Sequence, residues 1–117
     1  MPVRLDVGPG PVTAVLRKQG YRLELSVSPN RLGSRQRISI ELEKAGRAVD
    51  RARIIVSFTS LEMAMGALTG HLPQVAHGRY ANRGPVLTML GRWRLRIEVA
   101  PKGERAFDVS VVDRIAT

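Results

Sequence analysis

The stretch "GRWRLRIEVA", Gly91 to Ala100, decides the fold. Trp93, Leu95, Ile97 and Val99 share one parity, while Arg92, Arg94, Arg96 and Glu98 share the other. A period of two marks a β-strand with one face buried and the other in water. The lone tryptophan is open to two readings, a platform for a ligand or the large core residue on which two sheets pack. Its phase with Leu95, Ile97 and Val99 selects the core. The arginine stripe could bind anions, but on an outward sheet face it reads as solvated or as protection of an edge.

The same rhythm recurs on both sides of this stretch. Tyr21, Leu23, Leu25 and Val27 alternate with Arg22, Glu24 and Ser26, and Ile38, Ile40 and Leu42 alternate with Arg37, Ser39 and Glu41. Ile54, Val56 and Phe58 continue the pattern. Ile55 makes that segment apolar on both faces, which suits a central or covered strand. Phe107, Val109 and Val111 close the series.

Turn chemistry separates these runs: "SPNRLG" (28–33), Gly46 in "EKAGRAVDRA" (43–52), "VAHG" (75–78), "NRGP" (82–85) and Lys102-Gly103. Near the start, "GPGP" (8–11) can propagate neither helix nor central strand. Residues 1–19 therefore read as an extended lead-in or edge strand, and residues 20–117 as a single domain. Helical spacing is confined to "SLEMAMGAL" (60–68), where Gly66 limits any helix to a short one. About seven short strands with turns between them indicate an all-β fold, an immunoglobulin-like antiparallel β-sandwich.

Composition narrows the function classes. A chain of 117 residues can bury one core. Without cysteine there is no disulfide framework, thiolate metal site or cysteine nucleophile. No apolar run approaches the length of a membrane span. The opening "MPVRLDVGPGPV" has no apolar core of a secretory signal, so the expectation is an intracellular domain or one cut from a longer chain. The net charge of +9 invites a nucleic-acid reading. Against it, the basic residues are scattered, and two Phe, two Tyr and one Trp offer little for base stacking. There is no glycine-rich phosphate loop, nucleophile elbow or HExxH, so the chain reads as non-catalytic.

One stretch carries candidate chemistry. In "SLEMAMGALTGH" (60–71), Met63 and Met65 lie two positions apart and His71 follows six later. On an extended backbone Leu61, Met63 and Met65 share a face, and a bend could bring both thioethers to one soft ion. Thioether sulfur favours Cu(I), and imidazole serves Cu(I) and Cu(II). His71, out of phase with Leu72, should face solvent; His77 lies in a turn, and Met89 is the remaining sulfur near a strand start. The alternative is that Leu61, Met63 and Met65 are the inward side of a loop closing one end of the sandwich.

Several short motifs carry a family resemblance: "SPNRLG", "GRAVDRARI", "MAMG" after Phe58, "GRY" at 78–80 and "MLGRWRLRIEV" at 89–99. Across residues 20–100 the chain resembles YtkA-like domains, extracytoplasmic immunoglobulin-like sandwiches found alone or attached to copper-resistance membrane proteins of the CopC and CopD type. The resemblance implies a domain outside the cytoplasm, tethered to or partnered with a copper-handling membrane protein. It maps the family's methionines onto Met63, Met65 and Met89, with copper as the ion. The chain departs from the pattern at Ala48, where a proline is usual. It also lacks the additional histidine and acidic ligands of a tight Cu(II) site.

Overall fold

The computed structural model describes residues 6–116. Eleven strands form in chain order: β1 (Asp6–Val7), β2 (Val12–Lys18), β3 (Tyr21–Ser28), β4 (Arg35–Lys44), β5 (Arg47–Ala48), β6 (Arg53–Ser60), β7 (Leu68–Leu72), β8 (Gln74–Ala76), β9 (Arg79–Val86), β10 (Gly91–Ala100) and β11 (Phe107–Ile115). They build two sheets, one ordered β1-β11-β10-β6-β7 and the other β2-β3-β4-β9-β8 with β5 on β4. The result is an all-β sandwich. No helix among the described residues is long and apolar enough to cross a membrane.

The strand count exceeds the seven that alternation suggested, and the surplus has a simple cause. β1, β5 and β8 are two or three residues long, too short to carry a visible period. β2 lies in the stretch read as an extended lead-in or edge strand and pairs along its whole length with β3, on the edge of the six-stranded sheet. β1 pairs in parallel with β11 at the edge of the other sheet.

Alternating residues meet between the sheets. Trp93, Leu95, Ile97 and Val99 of β10 are buried with Ile54, Val56 and Phe58 of β6, facing Leu23, Leu25, Ile40 and Leu42. The indole N–H of Trp93 donates to the Met89 carbonyl at 3.1 Å, so its polar edge is satisfied inside the core. Arg92, Arg94 and Arg96 stay outside. β6, apolar on both sides at Ile55, runs between β10 and β7, which is the covered position its composition suits.

Turns set the register. Ala45 and Gly46 both have positive φ (52° and 75°) between the paired Lys44 and Arg47, the backbone of a two-residue hairpin that matches strand twist. Gln19 and Gly20 (52° and 82°) do the same between Lys18 and Tyr21. The "NRGP" segment does not break the chain as its composition suggested. It continues β9, with a register shift opposite Arg35 and Arg37. Pro85 is tolerated because β8 pairs only with Arg79 and Tyr80. Beyond the Ala81 N–H, which donates to the Pro73 carbonyl, β9 has no strand partner on that side among the described residues.

Two buried polar clamps fasten the crossovers. Tyr80 Oη donates to the Val49 carbonyl at 2.7 Å and accepts the Ala52 N–H at 3.0 Å, holding the approach to β6. Asn30, Gln36 and Asp113 are buried together. Gln36 accepts the Asn30 N–H (2.7 Å), and the Asn30 amide donates to the Gly10 carbonyl (2.7 Å) and to Asp113 Oδ1 (2.8 Å). This network ties the β1–β2 connection, the β3–β4 loop and β11 into one unit.

Candidate functional site

Residues 61–67 leave β6 at Ser60 as neither strand nor helix. Ser60 is buried, and its hydroxyl accepts the N–H groups of Glu62 (3.2 Å) and Met63 (3.3 Å), bending the chain outward. Leu61 then donates to the Arg92 carbonyl at 2.9 Å, and Glu62 Oε1 accepts the Arg92 side chain at 2.8 Å. That pairing holds the Glu62 carboxyl below the usual carboxylate range and raises Arg92. Gly91, at φ +109°, leaves the space Glu62 occupies: a Cβ there would sit 2.6 Å from Glu62 Cγ.

This anchored bend fixes where the sulfur atoms go. Met63 is 57% exposed and Met65 37%, so neither is the buried plug of the sandwich end. Met89 is half-buried against the core at the same end, its carbonyl engaged by Trp93. Leu90, beside Gly91, is 50% exposed. The site is thus an exposed thioether loop with apolar neighbours, standing on an Arg92–Glu62 clasp.

The histidines lie elsewhere. His71 faces solvent on β7, in register with Ile55, five residues along β6 from Ser60 and so about 17 Å away. It borders an apolar cleft of about 330 Å³ between β7 and β9, with Leu68, Leu72 and Pro85. His77 Nδ1 pairs with Asp50 Oδ2 at 2.7 Å, before the start of β6, a strand length of about 23 Å from Ser60. Asp50 also accepts Gly78 N–H (2.8 Å) and Gln74 Nε2 (2.6 Å). Those bonds, the Gly78 one foremost, hold its carboxyl below the usual range. His77 therefore belongs to a loop brace, and the structure does not bring either histidine to Met63 and Met65. Among the described residues, no group of three or more His, Asp or Glu side chains is placed to hold a metal ion.

The arginine stripe of β10 is largely compensated. Arg92 pairs with Glu62, and Arg96 pairs with Asp108 (3.1 Å) and Glu98 (3.2 Å). The buried Asn30–Gln36–Asp113 network escaped the sequence reading although a signal was present. Asp113 is in phase with Val111 and Ile115, and Gln36 with Ile38 and Ile40, so each stands at a core position.

No protein-family model matches the chain, and no curated protein or solved structure matches it.

Proposed function

We propose that the chain is a non-catalytic, extracytoplasmic binding domain of the YtkA-like, immunoglobulin-like type. In this reading it holds Cu(I) weakly through Met63 and Met65 and exchanges it with a copper-handling membrane protein. The observation that carries the reading is the exposure of both thioethers on a bend anchored by Ser60 and the Arg92–Glu62 clasp. Buried methionines would be ordinary core filling. Exposed thioethers on a fixed bend can meet a soft ion without unfolding anything. Met89, at the same end, is the available third sulfur. Neutral, polarizable ligands in low number suit transfer, because few bonds must break on release.

The immunoglobulin-like assignment draws support from strand order. β3-β4-β9-β8 runs in the order A-B-E-D, and β6-β10-β11 in the order C-F-G of that sandwich. The core tryptophan lies on β10, the F position, rather than on C.

Competition between the protein and a Cu(I) chelator tests the proposal. Wild type withdraws Cu(I) from the chelator and the Met63→Ala/Met65→Ala double variant loses that ability. Equal uptake by both proteins removes the site.

A second reading, a metal-free protein contact, is favoured by Leu90. This exposed aliphatic side chain cannot ligate and flanks the same bend. It predicts that Leu90→Ser weakens partner binding while Cu(I) uptake stays unchanged.

A further inference from the structure

Among the described residues, two arginines without an ion pair face each other on the sheet opposite the arginine stripe. On the outward face of the six-stranded sheet, Arg37 of β4 is directly across from Arg83 of β9. Cross-strand neighbours hold their Cβ atoms about 5 Å apart, and like charges so placed repel. Among the described residues neither guanidinium has an ion pair, whereas Arg22, Arg92 and Arg96 do. The glutamates of this face lie farther along: Glu24 and Glu41 oppose each other four residues from Arg37, about 13 Å away, with Glu41 across from Arg79, and Glu43 pairs with Arg22. That distance exceeds the screening length at physiological salt, roughly 8 Å. Arg35, exposed at the near end of β4, adds a third positive charge.

The same place is a shallow, open depression lined with hydroxyls. Ser28 pairs across from Arg37 on the other side, and Ser26 pairs with Ser39 in the next row. These small side chains form the floor of a depression of about 550 Å³ bordered by Arg37, Arg79 and Arg83. Adjacent guanidiniums beside serine hydroxyls supply the N–H and O–H donors that a tetrahedral oxyanion accepts.

We propose that this depression binds a phosphate or sulfate group between Arg37 and Arg83, with the serine hydroxyls completing its hydrogen bonds. The bound dianion would relieve the cross-strand repulsion that the pair carries alone. The site is independent of the methionine bend, on the opposite sheet, and of the compensated stripe on β10.

A two-dimensional NMR titration with inorganic phosphate, and then sulfate, at ionic strength held constant with chloride tests this. The expected result is saturable shifts at the amides of Ser26, Ser28, Ser39 and Ala81. Arg37→Ser and Arg83→Ser each weaken binding about tenfold, the loss of a charge-assisted hydrogen bond, while Arg94→Ser on the other sheet changes nothing. Both single variants relieve like-charge repulsion and keep the fold, which their spectra verify. Shifts that do not saturate, or that persist in the Arg37→Ser/Arg83→Ser double variant, overturn the site. Phosphatidylcholine vesicles with and without phosphatidic acid separate the sources. Co-sedimentation that needs phosphatidic acid and is lost only in the Arg37 and Arg83 variants assigns a membrane phosphate. Saturable phosphate binding without co-sedimentation assigns a soluble one. Both uphold the oxyanion site.

Discussion

Asp113 lies directly across the β10–β11 ladder from Trp93, and both are wholly buried. The carboxyl is desolvated beside an indole, with Gly8 so close that a Cβ there would meet Asp113 Oδ1 at 2.6 Å. Burial raises its pKa to about 6, opposed only by the Asn30 hydrogen bond. Arg92 and Arg114, which flank it along the two strands, are exposed. Among the described residues Asp113 Oδ2 and Asn30 Oδ1 have no partner.

A raised carboxyl pKa means the folded state holds the proton more tightly than the unfolded chain. Its contribution to stability is fully present below about pH 3.8 and is lost as pH rises through about 6. The loss is on the order of 3 kcal/mol. Thermal unfolding from pH 4 to pH 8 measures it. Asp113→Asn keeps an acceptor for Asn30 and supplies an amide donor, so this variant should flatten the profile and melt higher than wild type at pH 8. An unchanged profile would refute the assignment.

Tyr80→Phe should destabilise the domain by about 1–3 kcal/mol. The change leaves the Ala52 N–H and the Val49 carbonyl without their hydroxyl partner inside the crossover to β6. Urea denaturation checks the loss. Exchange of the Ala52 amide with solvent should also accelerate, because that N–H would no longer be engaged.

Glycines at positive φ should divide by what surrounds them. Gly78 has φ +66°, and an added Cβ would lie 2.6 Å from Ala48 Cβ and 3.2 Å from its Cα, so Gly78→Ala should cost about 2 kcal/mol or more. Gly46 has φ +75° with nothing within 4 Å, so Gly46→Asn, which tolerates that backbone, should cost a few tenths of a kcal/mol. Denaturation midpoints of the two variants give the comparison.

What the sequence revealed follows from period and phase. The strands around Trp93, Leu25 and Ile40 carried clean alternation because each has one buried and one more exposed face, and the Val56 strand, apolar also at Ile55, read as a covered one. β7 was only partly legible: of Leu68 to Leu72 only Leu72 is buried, so the phase of His71 could be read but not the strand's length or its place on β6. Pro85 signalled a break, yet a free strand edge removes the penalty for its missing donor. For the candidate site, the methionines could be named from the sequence but their exposure could not. It depends on the Ser60 hydroxyl and on the pairing of Glu62 with Arg92, 30 residues away. The solvent-facing position of His71 was legible from its phase, whereas the Asp50 partner of His77 required the fold.

Trp93→Ala should cost about 3–5 kcal/mol, the usual loss for a buried indole. Trp93→Phe should cost less, losing part of the packing and the bond to the Met89 carbonyl. Loss of that bond also frees the backbone at Met89, so the Phe variant should lower Cu(I) affinity if Met89 supplies the third sulfur. Chemical denaturation and chelator competition on the same variant read both effects.

X-ray absorption at the copper edge of the Cu(I)-loaded protein tests the central claim most directly. The account predicts sulfur scatterers around copper that disappear in Met63→Leu/Met65→Leu, a pair that preserves size and apolarity. A copper shell of nitrogen and oxygen alone, unchanged by those substitutions, would contradict it.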